Sequence, residues 1–278
     1  MTNQADRSES FKKLHERGDV FVLPNPWDAG SAKILTSLGF EALATTSAGF
    51  AFSKGRPDRA GTISLDDALN HAKEIISATD LPVSADLQNG YADDPESMAD
   101  VVRRAADIGL SGCTIEDTTG DPSAPIYDKS LAVERIAAAA EAANNLPNPF
   151  MLTARAENYL FGRPDLDDTL DRLVQYESVG ATVVYAPGLP DLESIRTVCN
   201  AVHVPVNALP GPQLPGITKS DLAAAGVTRI STGSLLARSA LGALISASKE
   251  IMDDGTFSMS LTAPSGRDIE ALLTHLAS

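Results

Sequence analysis

Cysteine is almost missing from the 278 residues. Cys113 and Cys199 stand alone, too few for a disulfide framework, so a reducing compartment is expected. Residues 1–17 are polar and charged and are not expected to be a secretory leader. No apolar run approaches the roughly 18 residues that span a bilayer, so no membrane partner is expected and the location is expected to be cytoplasmic. Basic residues are scarce, 22 Lys and Arg against 37 Asp and Glu, for a net charge of −15. Nucleic-acid partners need Lys/Arg clusters and are excluded on that ground. Aromatics make up 5%, which leaves Ala, Val, Leu and Ile to fill the core. The four histidines (15, 71, 203, 275) fall in expected helices or where a strand begins, and no lysine closes a strand. This speaks against a histidine-based nucleophile, a zinc cluster, and Schiff-base or pyridoxal phosphate chemistry.

What the chain does have is a repeated grammar of short apolar strand, turn, and capped helix. After a lead-in helix carrying Phe11 and Leu14, strands are expected at 20–23, 42–46, 83–87, 112–116, 150–154, 182–186, 204–207 and 229–231. Helices are expected at 28–38, 64–78, 95–108, 131–143, 166–179, 192–201, 218–225 and 235–252, several closing at glycine (39, 109, 180, 226). Eight such units predict an α/β chain folded as a (β/α)8 TIM-type barrel, because parallel neighbours need a crossover helix. A doubly wound open sheet is the alternative, but Pro24-Asn25-Pro26-Trp27 lacks the glycine fingerprint of dinucleotide sheets. The barrel is assigned to residues 1–255. Residues 256–278 form a C-terminal extension whose helix, 265–276, has a stripe of Ile269, Leu272, Leu273 and Leu276 to bury on its own barrel or a neighbour's.

Ligands of α/β sheets sit at the carboxyl ends of the strands. There the third strand delivers Asp86, the fourth Glu116-Asp117 and the fifth Arg155-Ala156-Glu157. Asp86 and Glu116 are hard oxygen donors suited to Mg²⁺, with helix capping or pairing to Arg155 as the plainer reading. Arg155 either neutralises these acids or meets a substrate oxygen. Thr45-Thr46-Ser47-Ala48-Gly49 offers small residues whose amides suit a carboxylate, and Ser231-Thr232-Gly233-Ser234 has the look of a barrel phosphate loop. Either is equally a tight turn without a ligand. Cys113 lies mid-strand, where a buried apolar thiol is expected.

Taken in order, Asn25 to Ala32, Thr45 to Gly49, Asp58, Asp86 with Gly90-Tyr91, Ile115-Glu116-Asp117 and Thr153-Ala154-Arg155 resemble the isocitrate lyase/phosphoenolpyruvate mutase superfamily over nearly the whole chain. The resemblance implies a barrel that exchanges a helix between subunits of a homodimer or homotetramer. It also implies Mg²⁺ (or Mn²⁺) and a small α-oxo or 2-hydroxy carboxylic acid at the strand ends. In this reading the amides of Ser47, Ala48 and Gly49 hold the substrate carboxylate. Asp86 is the nearest metal ligand, Asp58 and Glu116 act through metal-bound water, Arg155 faces the oxygen on C2, and Tyr185 and Asn207 line the distal pocket. Tyr185, Thr118 or a water on Asp58 are candidate acids. Two departures matter. Gln88 stands where the family's metal strand usually has a second Asp. The loop Asp117 to Pro125 lacks the catalytic cysteine of the isocitrate and methylisocitrate lyases, and equally the lysine and asparagine of the mutase. The implied activity is cleavage of a C–C bond through a metal-stabilised enolate, with phosphonate P–C chemistry, or carboxylate binding without catalysis, as alternatives.

Overall fold

The structure, a computed structural model, describes residues 2–59 and 61–274. Its first half runs α1 (Gln4–Glu16), β1 (Phe21–Leu23), α2 (Ala29–Ser37), β2 (Leu43–Ala44), α3 (Ser47–Ser53), α4 (Leu65–Ser77), β3 (Val83–Asp86), α5 (Pro95–Asp107), β4 (Gly112–Glu116), α6 (Lys129–Asn144) and β5 (Met151–Arg155). The second half follows with α7 (Leu166–Ser178), β6 (Val183–Tyr185), α8 (Leu192–Ala201), β7 (Val206–Ala208), α9 (Lys219–Ala224), β8 (Arg229–Ser231), α10 (Leu235–Asp254), a 3₁₀ turn (Ser258–Leu261) and α11 (Gly266–Thr274). All pairings are parallel, in the order β1-β8-β7-β6-β5-β4-β3-β2. No ladder joins β1 to β2. That seam is spanned by the Ala44 N–H, which donates to Pro24 O over 3.1 Å, and by Asn25 Nδ2, which donates to Thr45 O over 2.8 Å. The result is the expected (β/α)8 barrel.

Successive strand residues face opposite ways, and they divide into two cores. The outward set, including Val83, Ala85, Leu87, Cys113, Ile115, Leu152, Ala154 and Val184, packs under the helices. Inward-facing Phe21, Leu23, Ala42, Ala44, Met151 and Val183 cluster with Phe11 and Leu14 of α1, which therefore stoppers the barrel's amino-terminal end. Gly112 is required in this lumen: a Cβ there would lie 2.4 Å from Met151 O. Helix starts are built as the sequence suggests. Asp28 and Ser64 each form a reciprocal capping box, and Asp94, with Pro95 behind it, caps α5.

The lumen also holds a buried cation, Arg229, with no acid beside it among the described residues. Arg229 donates from Nε to Asn207 Oδ1 (2.8 Å) and from Nη2 to Thr153 Oγ1 (2.9 Å). Its Nη1 lies 3.4 Å from His15 Nε2, while His15 Nδ1 lies 2.8 Å from Phe11 O. The arrangement requires a neutral His15 that donates through Nδ1 and accepts through Nε2. Burial, and next the charge of Arg229, hold the imidazole down at about 3 from its usual 6.5. Unfolded chains then take up a proton below pH 6.5 that folded chains refuse, so this residue withdraws up to ~1.4 kcal/mol of stability per pH unit as pH falls from 6.5 towards 3. In urea titrations, the stability difference between wild type and His15→Gln should therefore shrink from neutral pH to about pH 4. A gap independent of pH would show that His15 is not held neutral.

Helix α11 lies against α2 of its own chain, where Ser37 Oγ donates to Leu272 O over 2.6 Å. Within the single chain α2 therefore offers this C-terminal helix a flank. Leu276 and His275 lie outside the described residues. Among the described helices none is long and apolar enough to cross a membrane. Helix α10 is long and largely exposed: of its residues Ala237 is buried, while Leu244 (62%), Ile245 (54%) and Met252 (82%) face outward.

Candidate active site

Asp86 closes β3 and is fixed on three sides. Its own N–H donates to Thr45 Oγ1 (2.9 Å), its Oδ2 accepts from the Ser47 N–H (3.0 Å), and its Oδ1 accepts from the Gln88 N–H (3.3 Å). Beyond it the backbone is strained, with Gln88 (φ +48°) and Tyr91 (φ +59°) both left-handed, at a cost of roughly 1 kcal/mol or more each. This turn is held from behind by Arg135 of α6, which is fully buried. Arg135 donates from Nη2 to Asn89 O and from Nη1 to Asp93 O (3.4 Å), and lies 4.1 Å over the Tyr127 ring. The strained backbone directs the Gln88 side chain across the rim, where Nε2 donates to Asp58 Oδ1 over 3.4 Å.

Strand register sets the next pair. Glu116 and Arg155 are opposite partners on β4 and β5, and Arg155 is opposite Tyr185 on β6. Arg155 Nη1 lies 3.1 Å from Glu116 Oε2, its Nε meets Glu157 Oε1, and its guanidinium stands 5.2 Å over the Tyr185 ring. Thr118 Oγ1 donates to the other Glu116 oxygen, 2.8 Å away. Behind this group lies a second buried charge cluster. Asp117 Oδ1 accepts the Glu157 N–H (2.8 Å), and its Oδ2 accepts from Tyr176 Oη (2.7 Å) and Arg172 Nη1 (3.0 Å).

The rim is electrostatically short of cations. Burial, then the charge of Asp86, raises the Asp58 carboxyl. Burial also raises Glu116, which Arg155 pulls down and Asp86 pushes up. The Tyr91 phenol is driven upward by burial and then by Asp86, Glu116 and Asp58 together, which places its ring in the field of all three acids. Three hard carboxylates repelling one another beside one guanidinium fit a divalent cation such as Mg²⁺. Among the described residues no three His, Cys, Asp or Glu side chains form a ready-made cage, so waters and substrate oxygens would have to complete the shell. With Gln88 in place of a carboxylate, the set carries one negative charge fewer than an Asp-x-Asp pair would give it.

A family model for phosphoenolpyruvate phosphomutase matches residues 11–252. The chain belongs to the phosphoenolpyruvate phosphomutase family. Through it the chain sits in the isocitrate lyase/phosphoenolpyruvate mutase superfamily, whose members include carbon–carbon lyases and phosphonate enzymes. A Burkholderia cenocepacia J2315 crystal structure, provisionally described as a lyase/mutase, superposes with a TM-score of 0.94 at 52% identity, covering 98% of this chain and 96% of that one. An uncharacterised Mycobacterium tuberculosis H37Rv protein is 34% identical over 250 residues, 88% of this chain and 89% of its own. The 2,3-dimethylmalate lyase of Eubacterium barkeri is 27% identical over 225 residues, 78% of this chain and 76% of its own.

Both loops of small residues are engaged within the fold. Residues Ser47 to Gly49 are the first turn of α3, capped by Thr46, whose Oγ1 accepts the Gly49 N–H over 3.2 Å. Gly49 is needed for close packing, since a Cβ would stand 2.5 Å from Thr46 Cγ2 and 3.1 Å from Trp27 Cβ. The Ser47 and Gly49 amides are therefore spoken for by Asp86 and Thr46. The phosphate-like loop at Thr232-Gly233 is satisfied internally: both amides donate to Asn25 Oδ1, at 2.9 and 2.8 Å. Asn25 thus ties β1 to β2 and to the exit of β8. Asn207 is buried and donates from Nδ2 to Ser231 Oγ over 2.9 Å. Arg135 and Arg229 carry no signal that strand-end reasoning could find, because each acts from beneath or behind the rim, whereas Glu157 follows a strand end but is wholly buried.

Proposed function

We propose that this protein is a Mg²⁺-dependent lyase that breaks a C–C bond of a small α-oxo or 2-hydroxy carboxylic acid. The observation that carries this reading is the meeting of one oriented guanidinium, Arg155, with the carboxylates of Asp86, Glu116 and Asp58 at a single rim. Asp86 would hold the cation directly, with Asp58 and Glu116 reaching it through water. When bound, the cation supplies Lewis-acid stabilisation to the substrate's oxygens. Arg155 binds the oxygen on C2 and stabilises the negative charge that gathers there as the bond's electron pair arrives. At the first turn of α3, formed by Ser47, Ala48 and Gly49, the Ala48 N–H, the one of the three not engaged by Asp86 or Thr46, would orient the substrate carboxylate. Tyr185, whose phenol burial keeps protonated, lines the distal pocket with Asn207 and supplies donors to a second polar group.

The exposed α10 supports an oligomer in which this helix is covered by another subunit; a homodimer or homotetramer is the proposed state. The activity is tested by incubating the protein with Mg²⁺ and oxaloacetate, alkylmalates or phosphonopyruvate and following products. Cleavage of a C–C acid that stops when EDTA is added is expected. Phosphate release from phosphonopyruvate, with the C–C acids left intact, would replace this reading with phosphonate chemistry. Thermal stabilisation by the acids with no product would make the protein a binding module.

A further inference from the structure

Arg155 has five N–H donors in a rigid fork, and its use at C2 depends on which edge is presented. Two acids divide the fork between them. Glu116 lies against Nη1 and Glu157 against Nε as ion pairs, while the Tyr185 ring lies beneath the guanidinium plane. Among the described residues none takes Nη2. The two acids differ in every other respect. Glu116 lies at the rim, shares a hydrogen bond with Thr118, and belongs to the carboxylate group described above. Glu157 is wholly buried, and apart from its ion pair with Arg155 its carboxylate accepts no hydrogen bond from a described residue. Burial pushes Glu157 up to about 8, with Arg155 pulling it down and Glu116 and Asp117 pushing it further up. Arg155 already has Glu116 as counter-ion, so a second, fully desolvated carboxylate is a net cost if neutralisation is its only purpose. Its backbone is equally fixed, because its N–H is held by Asp117, which Arg172 and Tyr176 clamp in turn.

We propose that Glu157 is a positioning residue: by holding Nε from below the rim, it turns the guanidinium so that Nη2 is the edge presented to the C2 oxygen of the substrate. The inference rests on the lyase reading for its substrate, and its test is arranged to separate the two. Measured at about pH 9, above the value near which Glu157 ionises, Glu157→Gln keeps the shape and an acceptor atom but removes the charge that fixes the fork. In an active enzyme kcat should fall ~10- to 100-fold with KM changed far less, because misorientation of a group that meets developing charge is felt mainly in the transition state. Glu157→Asp, which retains the charge on a shorter stem, should recover part of kcat.

The second measurement needs no turnover. Oxalate affinity, measured by calorimetry with Mg²⁺ present, should drop in Glu157→Gln and in Arg155→Ala. The Arg155→Ala/Glu157→Gln double variant should bind no worse than Arg155→Ala alone, as required of a residue that acts only through the arginine. Additive losses in that cycle, or wild-type oxalate affinity in Glu157→Gln, would overturn the positioning role while leaving the lyase reading intact. Wild type that binds no oxalate would overturn the site reading and the proposal together. If Glu157→Gln does not fold, the cycle is run with Glu157→Met, which also removes the charge, and judged by the same outcomes.

Discussion

Replacing Arg155 with alanine should lower turnover of any true substrate by ~10³-fold or more, since removing a single preorganised donor to a developing oxyanion already costs ~10²- to 10³-fold. Arg155 supplies a full charge as well as the donor, and among the described residues it is the one cation paired with Glu116. The loss should appear in kcat as well as kcat/KM, because the interaction strengthens only as charge reaches the C2 oxygen. Arg155→Lys should recover little, because a point charge cannot bridge Glu116 and Glu157 with separate edges of a planar fork. Stability should respond too. Glu157 already binds its proton more tightly than an unfolded glutamate does, being pushed up to about 8, and without the guanidinium it and Glu116 lose what pulls them down. A group raised in the folded state contributes stability that is lost as pH rises through its folded value, so the gap between Arg155→Ala and wild type should widen above the wild-type value, from about pH 8 to about pH 10. Steady-state kinetics and melting curves at the two pH values check both halves. A rate equal to wild type would remove Arg155 from the chemistry.

The largest purely structural effect is expected from Arg172→Leu. Arg172 and Asp117 are both buried, and the arginine also donates to Tyr127 O (3.0 Å) and to Asp168 Oδ2 (2.8 Å). Truncation leaves the Asp117 carboxylate in a dry site with only the Tyr176 hydroxyl and the Glu157 amide, and stranding one member of a buried pair costs ~3–5 kcal/mol. For a chain of this size that corresponds to a drop in Tm of roughly 10 °C. Asp168→Asn is the control. Asp168 is about a third exposed, and loss of such a pair costs ~1 kcal/mol or less. Arg172→Leu combined with Asp117→Asn should regain part of the loss, since the stranded charge is then gone. Equal melting points for Arg172→Leu and Asp168→Asn would show that Asp117 carries no buried charge.

The barrel was legible in the sequence because its signals are local. Caps such as Asp28, Ser64 and Asp94 announce helices, and the left-handed glycines at 39, 109, 180 and 226 close them. The rim residues Asp86, Glu116 and Arg155 were legible because each ends a strand. The strand at 42–46 came out shorter, at Leu43–Ala44, because Thr45 and Thr46 turn their hydroxyls to Asp86 N and Gly49 N and begin α3. Helix α3 itself was missed: Ser47-Ala48-Gly49-Phe50 has neither helical periodicity nor strong formers, and its glycine is a consequence of contact with Trp27. Arg229 reads as an ordinary polar start to a strand, and only the closure of the barrel puts it beside Asn207, Thr153 and His15. The apolar residues of α10 promise burial, and in the chain alone they are not buried. What a residue does from three strands away is a property of the register, which no single segment carries.

The seam between β1 and β2 has a dynamic consequence. Seven of the eight strand junctions are zipped by ladders, whereas this one is a clasp of a main-chain bond at Ala44 and the carboxamide of Asn25. Breathing of the cylinder should begin there, so the Ala44 amide should exchange with deuterium ahead of those in the middle of β4 and β5. The same excursion would tilt Thr45 and Ser47, which grip Asp86, so the joint that lets the wall flex also sets how steadily the carboxylate is aimed.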